Sequence, residues 1–585
     1  MPLIGTAGHV DHGKSTLIQR LTGRDPDRWE EEKRRGLTID LGFAWTVLPS
    51  GTEVSFVDVP GHERYLKNML AGVEAIDVAL FVVAADEGWM PQSEEHLAVL
   101  DLLEVERGLV ALTKSDLVDT ELVELAMLEV AERLAGTSLA KTPIIPVSAI
   151  RDRGIDVLTK HLDDIVTGVP SRDTFRPRLW IDRSFPVRGA GTVVTGTLLG
   201  GRLVVDDEVT IYPGGRRARI RAIQTHERPV DEVEPGRRVA LNLSGVEHGE
   251  LKRGDMVGYP GQWSLSRRFS ATVRAARYVD DLDPRGAYQL HIGSATYQTR
   301  FLGIEEGMAV LSTEDPVPVA VGDRFIVRDT GRRLVTAGGR VLDPSPGATA
   351  ESLSLARTID PEAAPDEIAA ALLRIRRRDL SSRLSTHSCG GRPGDAIQAG
   401  EWLLAPDEYG RLAESFEKMV SDHHREHPLR PGAPMATLAE RLDIPEEIVD
   451  RIVTENDGLI RVGPDVAAAD HRAQLPQSAL SIWERARQEM ERSLAVPTIA
   501  ELGIEPEVLH LLLRRGDLSR LGDQLVYLPE QVDEIRGLIA GMSPGFTVAQ
   551  FRDATGLSRK YAVPILEWAD REGLTVREGD TRRPR

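Results

Sequence analysis

Residues Gly8 to Ser15 read GHVDHGKS. The stretch fits G-x-x-x-x-G-K-[ST], a pattern whose glycines let backbone N–H groups curl around a polyphosphate. Lys14 supplies a point charge for the β- and γ-phosphates, and Ser15 offers a hydroxyl to Mg²⁺. Leu3, Ile4 and Ala7 read as a short buried strand before the loop, and a helix is expected from Ser15 to about Leu21. The positive end of that helix adds to the attraction for phosphate. The run Gly8, His9, Val10, Asp11, His12, Gly13, Lys14, Ser15 and Thr16 is therefore expected to hold the phosphates.

Four apolar runs of strand length follow, VSFVDV, VALFVVAA, LVALT and PIIPVSA, separated by helical stretches. Runs that are apolar throughout suit a parallel sheet covered on both faces, where ligands sit at the carboxyl ends of the strands. The polar punctuation falls at those ends. In DVPGHE, Asp58 can hold Mg²⁺ through a water, and the Gly61 N–H can bond a γ-phosphate. In TKSD, the two oxygens of Asp116 match the adjacent N–H donors of guanine, while Lys114 can lie over the base and Thr113 opens the motif. Ser148 and Ala149 bring a backbone N–H to the guanine carbonyl. The order of these motifs predicts GTP and GDP as ligands, with Mg²⁺. Thr38, in RRGLTIDLGFAW, has the hydroxyl that completes the Mg²⁺ shell when GTP is bound. A loop held by γ-phosphate and Mg²⁺ relaxes on hydrolysis. His62 can position the attacking water, with Val10 and Leu37 as an apolar gate. The side chains of His9, His12, His96 and His161 are expected to play no part in the chemistry.

A chain of 585 residues predicts about four domains. One cysteine, Cys389, rules out a disulfide framework and suits a reducing cytosol. The start, MPLIGTAG, has no basic leader, and no run approaches the ~18 apolar residues of a membrane span, so a cytoplasmic protein is expected. The net charge of −19 argues against nucleic-acid binding as a whole-chain property. The charge is uneven, however. Residues 175–345 carry 25 Arg or Lys against 21 Asp or Glu, a net of +4, and residues 542–585 carry 8 against 6, a net of +2. A local basic face still binds RNA because charges are screened beyond ~8 Å.

The motifs GHVDHGKST, RGLTID, DVPGHE and TKSD resemble the translational GTPases of the elongation factor Tu type. GLTIDLGFAW, DVPGHERYLKNMLAG and Thr113 in place of the usual asparagine are more narrowly similar to the selenocysteine-specific elongation factors, the SelB family. The threonine departs from N-K-x-D and is expected to remove an amide that buttresses the guanine site. LWIDRSFPVRGAGTVVTGTLLGG and VGDRFIVRDTGRRLVTAGGRVLD alternate polar and apolar residues with glycines at turns, and read as two small β-barrels. IDRSF and HIGSAT look like the family's versions of them. The resemblance implies an α/β P-loop GTPase domain (residues 1–170), barrels at 174–262 and 266–345, and a C-terminal α/β arm of about four winged helices at 350–585. It implies selenocysteyl-tRNA, an mRNA SECIS hairpin and the ribosome as partners of a monomer. It also places Asp182, Arg183 and Arg238 in an aminoacyl pocket. A selenol is far more acidic than a serine hydroxyl, and a guanidinium suits the resulting anion. The residues alone leave open a simple ion pair on a strand.

Within the arm, Leu459, Leu518 and Leu574 recur 59 and 56 residues apart, each after a helix and before a Gly-Asp or Gly-Pro turn, and Trp402 marks an earlier copy. Helix–turn–helix plus a hairpin is the winged-helix plan. The last copy, about 533–585, has Thr547 as a helix cap, Gly556 at the turn, and Ala562, Ile565, Leu566 and Ala569 on one helix face. Pro564 is expected near the first turn of that helix. Arg559, Lys560, Arg577, Arg582 and Arg583 form its expected hairpin-binding edge. Two other functions fit parts of this pattern. One is a translational GTPase for ordinary aminoacyl- or initiator tRNA, the other a nucleotide-gated winged-helix regulator that binds DNA.

Overall fold

The computed structural model describes residues 1–26, 41–60, 69, 76–169, 174–189, 191–347 and 350–585. The chain divides into two compact units, Met1–Ala405 and Pro406–Arg585.

The first unit opens with β1 (Leu3–Ala7), α1 (Lys14–Thr22), β2 (Gly42–Val47), β3 (Glu53–Asp58), β4 (Val78–Ala84), α2 (Pro91–Leu102), β5 (Gly108–Thr113), α3 (Thr120–Leu134), β6 (Ile144–Pro146) and α4 (Ile155–Val166). The six strands form one sheet in the order β2-β3-β1-β4-β5-β6. All neighbours are parallel except the β2–β3 pair. Every residue of β1, β4 and β5 is buried, as expected for a sheet covered on both faces. The edge strand β2 begins within GLTIDLGFAW, a stretch read from sequence as part of a switch, and runs two residues past it. It pairs with β3 from Gly42 opposite Asp58 to Val47 opposite Glu53.

Two antiparallel barrels follow. The first closes where Glu208–Tyr212 pairs with both Arg216–Thr225 and Met256–Gly258; it contains β7 (Arg178–Trp180), β8 (Arg183–Val187) and β9 (Gly191–Leu199). The second closes where Leu265–Thr272 pairs with both Met308–Pro318 and Leu334–Asp343. The serine hydroxyl of the HIGSAT hairpin, Ser294, donates to the Ile181 carbonyl at 2.6 Å and so joins the barrels.

Helices and a small antiparallel sheet then recur four times, ending in the three-stranded sheets Arg378–Leu404 and Ala433–Ala468, the pair Ser519–Tyr527 and the three-stranded sheet Phe546–Pro584. Residues 350–405, expected to begin the arm, belong to the first unit. Leu372, Leu373 and Leu384 share an apolar core with Met308, Val321 and Leu342 of the second barrel. Under that core, buried Arg376 pairs with Asp343 and Asp379. It also donates to His387 Nδ1 at 2.9 Å. Burial, reinforced by that guanidinium, pushes His387 down to about 2, so it stays a neutral acceptor.

In the second unit the last two modules share a single core that includes Tyr527, Leu521, Phe551, Ile565 and Leu566. Thr547 caps its helix in a reciprocal box with Gln550, and Gly556 ends that helix at φ 71°. The next helix runs Arg559–Arg571 and buries Ala562, Ile565, Leu566, Trp568 and Ala569. Pro564 lies inside that helix, beyond its first turn, so the carbonyl of Lys560 loses its intrahelical donor.

Candidate functional site

The P-loop runs from the end of β1 into α1, whose N-cap is Gly13 in the left-handed region. Gly8 has φ 128°, and a side chain there would put Cβ 2.1 Å from the Val82 carbonyl oxygen, so only glycine fits against β4. Lys14 is buried, and its ammonium donates to the carbonyls of Gly8 and His9 at 3.1 and 2.6 Å. Ser15 Oγ donates to Asp58 Oδ2 at 2.7 Å, and Thr6 Oγ1 to Asp58 Oδ1 at 2.7 Å. Two residues 43 apart in sequence, both expected at Mg²⁺, are thus in direct contact. Hydroxyl and carboxylate oxygens are the donor type a hard cation takes. Thr38, Leu37, Gly61 and His62 lie outside the described residues.

The loop is also held from behind. His96 Nδ1 accepts from the Gly8 N–H at 3.0 Å, and Gln92 Oε1 accepts from the Val10 N–H at 3.0 Å. These two amides were expected at the phosphates; both face α2 instead. Thr113 is buried, and its hydroxyl donates to the His12 carbonyl at 2.7 Å and the Val83 carbonyl at 3.3 Å. The amide is absent, as expected, but the hydroxyl still ties β5 to the loop. His12 Nδ1 accepts from the Ala84 N–H at 3.2 Å.

Burial pushes the His96 imidazole down to about 3, with the Lys14 charge acting the same way. Burial likewise pushes His12 down to about 4. Folding therefore favours the neutral rings. Their contribution is complete above the ordinary value of 6.5 and is lost as pH falls below it. From pH 6.5 to 5.5 each ring costs about 1 kcal/mol of stability. Urea unfolding is expected to register that loss, and His96→Asn to halve the two rings' share of it. An unchanged pH dependence in His96→Asn would mean that His96 is not held neutral.

At the end expected to meet the base, Asp116 is hydrogen-bonded by Ser148, which holds its carboxyl below the usual carboxylate range. Arg151 stands 3.9 Å from it. Ser148 Oγ in turn accepts from the Arg151 N–H at 3.1 Å. Lys114, at φ 56°, pairs with Glu87 at 2.8 Å and Asp86 at 3.5 Å. Burial opposes its charge, but the bond to Glu87 and the Asp86 charge outweigh it and raise its pKa.

Of the residues expected at an aminoacyl pocket, Asp182 and Arg238 meet directly, while Arg183 at the start of β8 turns to another partner. Arg238 forms a two-pronged pair with Asp182, one bond at 3.0 Å, and donates to Thr195 Oγ1 at 3.1 Å. Thr195 Oγ1 donates to Asp182 at 2.7 Å. Phe43 of β2 stacks on the Arg238 guanidinium, 3.5 Å from carbon to ring centre. Arg183 donates to the Leu41 carbonyl at 3.1 Å. Phe43 and Leu41 carry no polar signal, so sequence reasoning missed this contact with the GTPase domain. Further along β8, Pro186, Arg188, Arg221 and His248 line an open groove of about 600 Å³.

In the last module Arg559, Lys560, Arg577 and Arg583 are exposed. Arg582 is not: it is buried and pairs with Asp570 at 2.9 Å. That pair holds the wing to the helix, and Arg582 leaves the expected RNA edge.

Residues 1–168 match the elongation factor Tu GTP-binding domain, and 191–258 match elongation factor Tu domain 2. Residues 270–348 match the β-barrel domain of selenocysteine-specific elongation factors, and 538–583 the winged helix of elongation factor SelB. The selenocysteine-specific elongation factor of Desulfomicrobium baculatum is 32% identical over the whole of both chains. That of Escherichia coli K12 is 33% identical over 99% of this chain and 98% of its own. The chain belongs to the selenocysteine-specific elongation factors. The crystal structure of a bacterial selenocysteine-specific elongation factor, EF-Sec, superposes over all of both chains with a TM-score of 0.73 at 29% identity. A member of this family is a translational GTPase that binds GTP and GDP and hydrolyses GTP. Among the described residues, no helix is long and apolar enough to cross a membrane.

Proposed function

We propose that this GTPase carries selenocysteyl-tRNA to ribosomes halted at a recoded UGA codon next to an mRNA SECIS hairpin. The observation that carries this reading is the ion pair of Asp182 with Arg238 on the first barrel, with a second cation, Arg183, next to Asp182 in the chain and donating to the Leu41 carbonyl. Their summed charge of +1 suits a selenolate and gives no advantage to a neutral serine side chain. The groove further along β8 is open enough for the tRNA end that bears the amino acid.

In the nucleotide site, Ser15 and Thr38 would hold Mg²⁺ directly and Asp58 through a water, in keeping with the Ser15–Asp58 contact. The ion supplies charge neutralisation at the phosphates. Asp116 orients guanine, Ser148 and Ala149 close its far side, and Lys14 reaches the phosphates. His62 aligns the attacking water once the ribosome has accepted the codon. The exposed cations Arg559, Lys560, Arg577 and Arg583 grip hairpin phosphates, a mode suited to RNA because its deep groove admits no helix. Tethering at the hairpin raises the factor's concentration at one codon. The protein acts in the cytoplasm as a monomer.

The test is protection from deacylation. GTP-loaded protein should protect selenocysteyl-tRNA at least tenfold better than seryl-tRNA on the same tRNA body, and better than ordinary aminoacyl-tRNA. Equal protection of all three would remove the selenocysteine preference.

A further inference from the structure

Arg176 lies in the segment between the GTPase domain and the first barrel, and it ties that segment to two others. Its Nη2 donates to the Gln262 carbonyl, in the stretch between the barrels, and to the Thr386 carbonyl of the module at 350–405, the latter at 2.8 Å. Its guanidinium lies over the Trp263 indole, 4.3 Å from carbon to ring centre. Arg176 is only 6% exposed, so a fixed cation stands in the wall of a pocket of about 540 Å³.

Much of the remaining wall is polar and uncommitted. Ser381, Ser382, Ser385 and Arg392 border the pocket, and their side chains make no hydrogen bond or ion pair among the described residues. Arg176 and Arg392 stand against Glu401, two positive charges to one negative, a net of +1. A larger cavity that Arg176 also borders, about 800 Å³, has five arginines against five acidic residues and no such excess. The smaller pocket is therefore the one that suits an anion.

The donor set narrows the class of anion. A carboxylate has two oxygens and would leave most of three hydroxyls and two guanidinium groups idle. A phosphate group has more oxygens to offer, and a planar guanidinium matches its edge. The pocket is much roomier than a bare phosphate ion. Glu401 and the amide oxygen of Gln398, whose Nε2 donates to the Gly400 carbonyl, add acceptors that a bare ion cannot use. Sugar hydroxyls can use them.

We infer that this pocket binds a ribose phosphate, with the phosphate held by the arginines and serines and the sugar hydroxyls by Glu401 and Gln398. The unit comes from a free nucleotide or from the backbone of an RNA strand. Bound there, it adds to the contacts by which Arg176 seats the module at 350–405 on the barrels.

The test is calorimetry on the full chain with its nucleotide site saturated by GDP and Mg²⁺, so that the P-loop is already filled. Ribose 5-phosphate is expected to bind as one molecule per chain, and ribose at least tenfold more weakly. Arg392→Ala, at an exposed position, should weaken ribose 5-phosphate at least tenfold, and Ser385→Ala at least threefold. The melting temperature of both variants without ribose phosphate should stay that of the wild type. Octauridylate separates the two sources. Displacement of ribose 5-phosphate by octauridylate, lost in Arg392→Ala, would identify the occupant as RNA backbone. Binding of ribose 5-phosphate that octauridylate does not disturb would identify a small phosphate ester. Failure of both probes to bind would overturn the site. So would equal affinity for ribose and ribose 5-phosphate, or wild-type affinity in both variants.

Discussion

Replacing Asp116 with asparagine is expected to lower GTP and GDP affinity between a hundredfold and ten-thousandfold and to raise affinity for xanthine nucleotides. The carboxylate presents two acceptors to the ring N–H and the amino group of guanine. An asparagine keeps one acceptor and turns the other position into a donor, which meets the guanine amino group donor to donor. Xanthine carries an oxygen there, so the mismatch becomes a hydrogen bond. A site built around specific hydrogen bonds rejects a ligand that leaves one unmade by several orders of magnitude. The geometry favours a large effect because Asp116 is already oriented by Ser148, and that bond keeps it ionised below the usual carboxylate range. Binding through Asp116 should therefore stay constant as pH falls, until the carboxylate itself protonates below that range. Fluorescence titration with labelled GDP and XDP measures both halves of the prediction. Undiminished GDP affinity in Asp116→Asn would exclude this carboxylate from base recognition.

How far the site was legible depends on how far its parts lie along the chain. The P-loop is a local object: its glycines, lysine and serine work through backbone shape, and eight residues suffice to see it. The sheet was legible for a similar reason, since continuous apolar runs such as those of β4 and β5 have few other uses. The acceptors behind the loop were not. His96 lies 88 residues from Gly8, and Gln92 lies 82 from Val10; a single polar residue early in an amphipathic helix gives no sign of what it will meet. Thr113 shows the limit of reading a motif by its departure from a pattern. The departure was read as the loss of a buttressing amide, yet the hydroxyl still reaches the His12 carbonyl. At the far end, Arg582 looked like its neighbours Arg577 and Arg583 in composition. Its pairing with Asp570 is set by the register of the last hairpin, where it is paired with Phe546 on one side and Arg577 on the other.

The proposed aminoacyl pocket offers the second large effect, and its two arginines should behave differently. Arg183→Ala removes one cation and leaves the pair of Arg238 and Asp182 intact, taking the pocket from a summed charge of +1 to zero. A charge-assisted hydrogen bond contributes about 1.5–3 kcal/mol, so protection of selenocysteyl-tRNA should fall roughly 10- to 150-fold. Seryl-tRNA has no such charge to lose and should change less than threefold. Arg238→Ala is a harsher change. It strands Asp182, whose side chain is only 10% exposed, and takes away the guanidinium that Phe43 covers. Breaking a pair this far from water costs roughly 3 kcal/mol of stability, so that variant should melt earlier as well as protect poorly. Arg183→Ala is therefore the variant that isolates recognition. Arg183→Lys keeps the charge but loses the planar fork, and should recover part of the selectivity. Acid gives an independent check on sign. Protonating the selenolate removes the anion, so wild-type preference for the selenocysteyl form should decline as pH falls through the selenol's titration. Arg183→Ala should show little of that decline. A preference that survives both the mutation and the acid would mean that shape, and not charge, selects the amino acid.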